Sequence, residues 1–327
     1  SLLVIISNKN LRTAKGNNLK KDIGLLKMNK IELTVVICTL NREKHLERCL
    51  ETLVNQSLDK ELYEVLIINN NSIDNTQIVA ERFTEAQPNF HLIREETHGL
   101  SKCRNIGWKK ANGKHVAYID DDAKANSDWC AKILNAFKTV TPSPVAVGGV
   151  ILPFYDRKPP FWFSDSLESC TWGSSRKFLN HPKKVNSFAG SNMAFSKKTL
   201  EEYGGFSPDY GMVGEKVIPG EEIDLFNRIS QKTLLFWYDP EIKVYHWVSP
   251  KKMKISYRMF RAFRSNLFAV EATGQGYLSP SYIKSWIHHR RKAEGCFFTH
   301  IIFWLEQFAR VLGYICKKLF INTKPKD

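Results

Sequence analysis

Val-Ala-Tyr-Ile-Asp-Asp-Asp, at residues 116–122, is a hydrophobic strand that ends in three carboxylates. Side chains alternate across a strand, so Asp120 and Asp122 are expected to point to the same side. Two carboxylates in this position can bind a hard divalent cation, and such cations often bring substrate phosphates with them. A solvated acidic turn is the alternative interpretation of the triplet taken alone.

Three strand–loop–helix units precede this stretch and favour a parallel sheet. Apolar strands are expected at residues 33–39, 63–68 and 91–94. Each leads into a polar loop and then into a segment with helical apolar spacing, which is the pattern of right-handed crossovers. Ligands bind beyond the carboxyl ends of the strands in such sheets. The loops at residues 69–76 and 99–105 should therefore meet the Asp triplet at one edge, which favours a nucleotide site.

Several motifs, taken in order along the chain, resemble those of the family 2 glycosyltransferases. In the first half they are residues 34–41, 69–76, 99–105 and the Asp triplet. In the second half they are Gly-Ser-Asn-Met-Ala-Phe at 190–195, Gly-Gly-Phe at 204–206, Gly-Glu-Glu-Ile-Asp-Leu at 220–225, Tyr-Asp-Pro at 238–240 and Val-Tyr-His-Trp at 244–247. The resemblance covers residues 31–270. It implies an α/β protein with the GT-A fold: a mostly parallel, Rossmann-like sheet flanked by helices, with a C-terminal helical extension.

The resemblance also implies roles for the acidic residues. Asp120 and Asp122 resemble the family's DxD-type pair, of which one lies near the donor ribose and the other binds Mn²⁺ or Mg²⁺. His246 resembles a late histidine that serves as a third metal contact or as a phosphate ligand. Simple packing beside Trp247 is the alternative for His246. Glu222 stands where the family has the carboxylate that deprotonates the acceptor hydroxyl. It is one methylene longer than the usual aspartate, and a base must lie within hydrogen-bond reach of its proton.

Two further carboxylates of the same motif, Glu221 and Asp224, are predicted to assist catalysis by holding the base or the acceptor. Alternatively they only begin a helix, where negative charge suits the helix dipole. Acceptor binding is predicted for Trp162, Trp172 and Asn192, since exposed aromatic faces suit the apolar edges of sugar rings. Packing of the two tryptophans onto the sheet is the alternative.

Donor binding is predicted for side chains near the strand ends, namely Thr39, Asn41, Arg42, Asn69, Asn71, Arg104, Asp120 and Asp121. Arg104 is expected to donate charge-assisted hydrogen bonds to the diphosphate leaving group, with a solvated helix N-terminal position as the alternative. The family usually has an aspartate where this chain has Asn69. An amide can still pair with a base ring or can turn the loop. The choice among uridine, thymidine and guanosine donors therefore stays open.

The positive charge of the chain is concentrated at its ends. Of the net charge of +15, residues 31–250 contribute −2, residues 1–30 contribute +6 and residues 251–327 contribute +11. Basic clusters attract nucleic acid or an anionic membrane, and the nearly neutral core argues against a nucleic-acid-binding module. Residues 297–320 have an apolar pattern interrupted by charges, which predicts an amphipathic helix at a membrane surface. A helix packed on the core is the alternative.

These patterns divide the chain into three segments. Residues 1–30 are predicted to be an N-terminal arm, either disordered or derived from expression cloning. Residues 31–250 are predicted to form the catalytic domain, with a nucleotide-sugar half at 31–122 and an acceptor half at 123–250. A basic, amphipathic helical extension follows at 251–327. Seven scattered cysteines without Cys-x-x-Cys spacing fit reduced thiols. We therefore expect a cytoplasmic protein, peripheral on the cytoplasmic face of a membrane.

Together these features predict an inverting, metal-dependent glycosyltransferase. It would move a hexosyl or related sugar from a nucleotide diphosphate donor to a glycan or lipid-linked acceptor, as in polysaccharide biosynthesis. Nucleic acid is not an expected partner. One alternative is a sugar-nucleotide nucleotidyltransferase, although residues 39–42 lack the Gly-rich phosphate loop usual in that class. The other is a catalytically inactive nucleotide-sugar-binding protein, because of Asn69 and Glu222.

Overall fold

The computed structural model describes residues 31–180, 186–213, 216–218, 220–263, 301–302 and 304–312. The predicted N-terminal arm at residues 1–30 lies outside the described residues, as do parts of the predicted amphipathic helix at 297–320. None of the described helices is long and apolar enough to cross a lipid bilayer.

The first half of the chain alternates strands and helices, as its apolar pattern predicts. The elements are β1 (Leu33–Thr39), α1 (Glu43–Val54), β2 (Tyr63–Asn69), α2 (Thr76–Ala86), β3 (Phe90–Arg94), α3 (Leu100–Lys110), β4 (His115–Tyr118) and β5 (Ala123–Ala125). Strands β3, β2, β1 and β4 are neighbours in that order and pair in parallel. Their carboxyl ends therefore lie along one edge of the sheet, and the loops that follow them meet there.

The second half adds mixed strands to the same sheet. Its elements are α4 (Trp129–Thr139), β6 (Ala146–Phe154), β7 (Lys177–Phe178), β8 (Met193–Ser196), α5 (Lys197–Tyr203), β9 (Gly211–Val213), β10 (Lys216–Ile218), α6 (Glu221–Ser230) and β11 (Phe236–Trp247). Strand β8 lies antiparallel between β4 and β6, and β11 runs parallel to β6 and antiparallel to β5. The sheet is thus continuous from the first half into the second. Strands β9 and β10 form a separate two-stranded sheet.

Alternation along the strands divides the core between the two faces of the sheet. In β1, Val35 and Ile37 belong to the cluster that includes Leu50 of α1 and Trp129 of α4, whereas Val36 belongs to the cluster on the other face. Successive side chains of a strand covered on both faces are all apolar, which is why β1 is a continuous hydrophobic run. Burial of this kind contributes about 1.5–3 kcal/mol for each large aliphatic side chain.

Part of the C-terminal segment packs on the core through charged side chains. Residues 255–263, 301–302 and 304–312 are helical. Arg258 is 2% exposed, and it donates hydrogen bonds to Glu306 and, over 2.8 Å, to Glu168 in the segment after β6. Arg261 also pairs with Glu168 over 2.8 Å. The described part of the predicted amphipathic helix is therefore attached to the core.

Candidate active site

A cavity of about 290 Å³ opens at the carboxyl ends of β1 and β4. Its lining combines acidic, basic and small side chains: Cys38, Thr39, Leu40, Arg42, Asn70, His98, Gly99, Leu100, Cys103, Asp120, Asp121, Asp122, His246 and Lys252. The position agrees with the rule that ligands of parallel sheets bind beyond the carboxyl ends of the strands. The Asp triplet and the loop before α3 meet here, as the sequence predicts.

Three side chains at this edge could hold one metal ion. Asp120 and Asp122 follow β4, and the pairing of β11 with β5 brings His246 opposite Ala123. His246 Nε2 lies 3.2 Å from Asp122 Oδ1 and 3.6 Å from Asp120 Oδ2. One ligand atom from each of the three residues lies within 4.8 Å of the other two. Two carboxylates suit Mn²⁺ or Mg²⁺, because hard divalent cations prefer oxygen ligands, and an imidazole is a common ligand of transition-metal ions.

The protonation of this cluster depends on its neighbours. Burial raises the pKa of Asp120, but contact with His246 and the charge of Arg104 outweigh it, so the pKa lies below its usual range. Burial, followed by the charge of Asp122, raises the pKa of Asp121 to about 7. Burial lowers the pKa of His246, but the two carboxylates that it contacts raise it above its usual value. The cluster therefore concentrates negative charge that a cation would neutralise.

The candidate base begins α6 and faces Arg104. Gly220, with φ of +126°, turns the chain so that Glu221 and Glu222 start the helix. Arg104 Nη1 lies 3.0 Å from Glu222 Oε1 and 3.3 Å from Glu221 Oε1. Its Nη2 lies 3.8 Å from Asp120 Oδ1. Burial raises the pKa of Glu222, although the charge of Arg104 opposes the shift.

Arg104 itself is 4% exposed, so the alternative of a solvated helix terminus does not apply to its side chain. Its guanidinium lies 5.3 Å from the centre of the Phe206 ring and contacts carboxylates of the protein. Arg104 is absent from the lining of the cavity, whereas the predicted donor residues Thr39 and Arg42 line it. Arg104 links the metal-binding cluster to the candidate base.

The asparagines after β1 and β2 mainly shape the loops. Asn69 Nδ2 donates to Gln77 Oε1 over 2.6 Å and its Oδ1 accepts from the Ser72 backbone over 3.0 Å. Asn41 and Asn71 have φ of +54° and +63°, the left-handed conformation that asparagine tolerates. These bonds support the loop-turning interpretation of Asn69 that the sequence left open. None of the three asparagines lines the cavity.

The structure corrects the predicted role of Asn192. This side chain is 1% exposed, so it has no surface to offer an acceptor. Its Nδ2 donates to the backbone carbonyls of Val150 and Ile242, both over 2.9 Å. Its Oδ1 accepts from Trp129 Nε1 over 2.9 Å. Every polar atom of the amide is therefore used inside the protein.

Asp224 pairs with an arginine of its own helix, so its contacts differ from the predicted assistance to catalysis. Its Oδ2 lies 2.9 Å from Arg228 Nε in the next turn of α6. Arg228 in turn donates to the backbone carbonyls of Tyr203 and Gly205. Asp224 thus fixes an arginine that attaches α6 to the end of α5, as the helix-start alternative allows.

The two predicted acceptor tryptophans pack against the protein and are only half-buried. Trp162 contacts Phe163 in a small apolar cluster with Val248 and Met253. Trp172 packs on the core, and its Nε1 donates to the Ser187 carbonyl over 3.1 Å. These contacts support the packing alternative for both side chains.

Sequence reasoning missed three polar residues that line the cavity. The donor prediction included Asn69 and Asn71 but not Asn70. The side-chain amide of Asn70 donates to the Thr97 carbonyl and accepts from the Gly99 backbone nitrogen, each over 2.8 Å, and the residue lines the cavity. His98 precedes Gly99 in the loop before α3. Lys252 lies six residues beyond His246, where the basic pattern suggested membrane contact only. Its position depends on how the chain returns after β11, which no local pattern reveals.

The amino-acid sequence matches the model of "Glycosyl transferase family 2" over residues 34–204. Among curated proteins, the chain is 27% identical over 245 residues to a glucosyl-dolichyl phosphate glucuronosyltransferase of Haloferax volcanii. That alignment covers 71% of this chain and 74% of the relative. The match therefore extends beyond the nucleotide-sugar half into the second half of the sheet.

Solved structures with little sequence identity share the fold. The mannosyltransferase PcManGT from Pyrobaculum calidifontis, in complex with GDP-Man and Mn²⁺, superposes with a TM-score of 0.56 at 17% identity, over 91% of this chain and 77% of that chain. GalNAc-T7 with UDP, GalNAc and Mn²⁺ gives 0.54 at 16% identity, over 89% of this chain and 58% of that chain. Both are GT-A transferases, which confirms the predicted fold class. The chain belongs to glycosyl transferase family 2, and it is a glycosyltransferase with the GT-A fold.

Proposed function

We propose that this protein is an inverting, metal-dependent enzyme that transfers one sugar from a nucleotide diphosphate donor. The observation that carries the proposal is the position of Arg104 between two groups of side chains. One is the cluster of Asp120, Asp122 and His246, and the other is the candidate base Glu222. Separate cation and base positions suit a single displacement, in which the acceptor attacks the face opposite the leaving group.

The chain's own residues supply binding, orientation and proton removal. Asp120, Asp122 and His246 would hold Mn²⁺ or Mg²⁺, which when bound neutralises charge that develops on a diphosphate leaving group. Arg42 and Lys252 line the same cavity and add positive charge for the diphosphate. Glu222 accepts the proton of the acceptor hydroxyl through its carboxylate. Its burial suits this role, since a base works best with a pKa brought closer to the working pH.

The donor site is proposed to lie in the cavity between the β1 and β4 loops. Support comes from the neighbours in complex with GDP-Man and with UDP and GalNAc, which are nucleotide-bound GT-A transferases. His98 offers a hydrogen-bonding group there in addition to Thr39, and the Asn70 amide holds the loop before α3 in place. We propose a lipid-linked or glycan acceptor, and the haloarchaeal relative whose name contains a dolichyl phosphate supports the lipid-linked class. Residues 31–250 would form the catalytic unit, since one sheet runs through both halves.

A thermal-shift screen tests the donor and metal assignments together. We expect UDP or GDP to raise the melting temperature only when Mn²⁺ is present, because a ligand at 100 times its Kd adds about 2.7 kcal/mol to the stability of the native state. Asp122→Ala should abolish this shift without unfolding the protein. Asp209→Ala removes an exposed carboxylate outside the cavity and serves as the matched control. A full Mn²⁺-dependent shift in Asp122→Ala would contradict the metal assignment.

We also propose that the enzyme lies on the cytoplasmic face of an anionic membrane. Within residues 301–302 and 304–312, Ile302, Glu306 and Ala309 are buried, while five apolar side chains are 37–62% exposed: Ile301, Trp304, Leu305, Phe308 and Leu312. The +11 charge of residues 251–327 would attract anionic lipid headgroups, at about 1 kcal/mol for each basic residue near the surface.

Vesicle co-sedimentation tests this location. We expect the protein to bind phosphatidylserine vesicles, to dissociate as salt rises, and to lose most binding in the double variant Leu305→Ser and Phe308→Ser. Leu234→Ser removes a similarly exposed leucine elsewhere and should leave binding unchanged. Equal sedimentation of the wild type and the double variant would contradict the membrane proposal.

A further inference from the structure

We propose that Arg104 is a positioning residue for Glu222, and that Gly190 keeps open the space in which these two side chains meet. The inference rests on the proposed function, because it takes Glu222 as the base. It differs from the expectation drawn from sequence, in which Arg104 binds the diphosphate of the donor.

The first observation is where the guanidinium directs its donors. Arg104 Nη1 lies 3.0 Å from Glu222 Oε1 and 3.3 Å from Glu221 Oε1, and Nη2 lies 3.8 Å from Asp120 Oδ1. The side chain is 4% exposed and lies on the ring of Phe206. Its donors are directed at carboxylates of the enzyme, and no part of Arg104 lines the cavity.

The second observation is that one rigid fork reaches both acidic groups. Arginine presents several donors in a fixed plane, whereas the ammonium of lysine is a single point charge at the end of a flexible stem. A planar fork can hold Glu222 in one rotamer while it also faces Asp120. The distance between the base and the donor-side carboxylate is thereby fixed before any substrate binds. Misplacement of a reacting group by about 1 Å can cost roughly 10²-fold in rate.

The third observation is the space at Gly190, in the turn before β8. A Cβ at this position would lie 2.2 Å from Arg104 Nη2 and 2.4 Å from Glu222 Oε1. Real contacts of a Cβ are essentially never shorter than 3.0 Å, so an alanine would push these two groups away. The glycine therefore leaves room for the close approach of this ion pair, and an added Cβ would displace the ends of both side chains.

Steady-state kinetics with Mn²⁺ and a panel of UDP-, dTDP- and GDP-sugars test the proposal. The readout is nucleoside diphosphate release, and the affinity for UDP or GDP is measured separately. We expect Arg104→Gln to lower kcat by roughly 10-fold to 100-fold, a part of the general-base contribution of about 10²–10⁴. Nucleotide Kd should stay within about threefold, because Arg104 acts through the base. Lys110→Gln removes one positive charge from an exposed position of the same helix and should behave as the wild type.

The pH profile separates positioning from a purely structural role. Glu222 faces the charges of Arg104, Glu221 and Asp120. Removal of the Arg104 guanidinium leaves only negative charges beside Glu222, which raises the pKa of Glu222. The acidic limb of the kcat profile should therefore move to higher pH in Arg104→Gln. It should move less in Arg104→Lys, which keeps the charge but loses the fork.

Gly190→Ala keeps every charge and carries the test if Arg104→Gln does not fold, which thermal melts reveal. We expect it to lower kcat with little change in nucleotide Kd. A tenfold or greater rise of nucleotide Kd in Arg104→Gln, with an unmoved acidic limb, would overturn the proposal in favour of direct donor binding. Unchanged kcat in Gly190→Ala would overturn the role of the glycine. If the wild type releases no nucleotide from any sugar donor, the proposed function itself fails, and this inference fails with it.

Discussion

At the scale of single residues, buried polar side chains support the sheet beneath the site. Asn192 joins three elements, because it bonds Trp129 of α4 and the carbonyls of Val150 in β6 and Ile242 in β11. The register of β11 against β6 shifts between Tyr238 and Lys243, and the carbonyl of Ile242 lies within that irregularity. The amide of Asn192 satisfies that carbonyl.

Asn192→Ala should therefore lower stability and leave acceptor binding unchanged. A buried group that loses its hydrogen bond costs about 1–3 kcal/mol, and three groups lose theirs, so we expect at least 3 kcal/mol from the free energy of unfolding. Urea denaturation measures this loss. Asn55→Ala, which removes a single exposed amide bond at the end of α1, should cost less than about 0.5 kcal/mol. A stable Asn192→Ala enzyme with a raised KM for the acceptor would restore the role expected from sequence.

Sequence patterns identified the residues that depend on local chemistry and missed those that depend on long-range packing. The apolar run of β1 and the triplet from Asp120 to Asp122 can each be recognised from a few adjacent residues, so the strand and the acidic loop were both predictable. The burial of Asn192 arises from the antiparallel insertion of β8 between β4 and β6, which joins segments about 80 residues apart. Lys252 likewise reaches the cavity only after the chain has returned along β11.

At the scale of elements, the described C-terminal residues are attached to the core by buried charges. Arg258 bonds Glu306 from one side and Glu168 from the other, and it lies 5.4 Å from the ring centre of Phe163. A buried arginine needs such partners, because an uncompensated charge in the interior is costly. The segment after β6 and the helical residues 304–312 are thus joined through one side chain.

Glu306→Ala should test this attachment. Breaking a buried ion pair costs about 3–5 kcal/mol, and Glu168 still compensates part of the charge, so we expect a loss of about 2 kcal/mol or more. The free energy of unfolding in urea gives the measurement. Glu202→Ala breaks an exposed pair with Lys232 at 3.5 Å and should cost under 1 kcal/mol. Equal stability of Glu306→Ala and the wild type would mean that residues 304–312 do not depend on Arg258.

At the scale of the whole molecule, charge and chemistry are separated along the chain. Residues 31–250 carry a net charge of −2 and contain the candidate metal-binding cluster and the candidate base, whereas residues 251–327 carry +11. The continuous sheet positions the cluster, because Asp120 follows β4 and β11 presents His246 at the same edge. Arg104 of α3 then connects this edge to α6 and Glu222. Because Glu222 and the cluster lie on different elements, a substitution of Glu222 alone is expected to leave donor binding unchanged.

The most direct test of the account compares transfer with nucleotide binding in Glu222→Gln. The amide keeps the size of the side chain but cannot accept the acceptor's proton. We predict that transfer falls by roughly 10²-fold or more, the usual scale for loss of a general base, while Mn²⁺-dependent binding of UDP or GDP stays at the wild-type level. Wild-type transfer by Glu222→Gln, or loss of nucleotide binding in a folded Glu222→Gln protein, would contradict the assignment of Glu222 as the base.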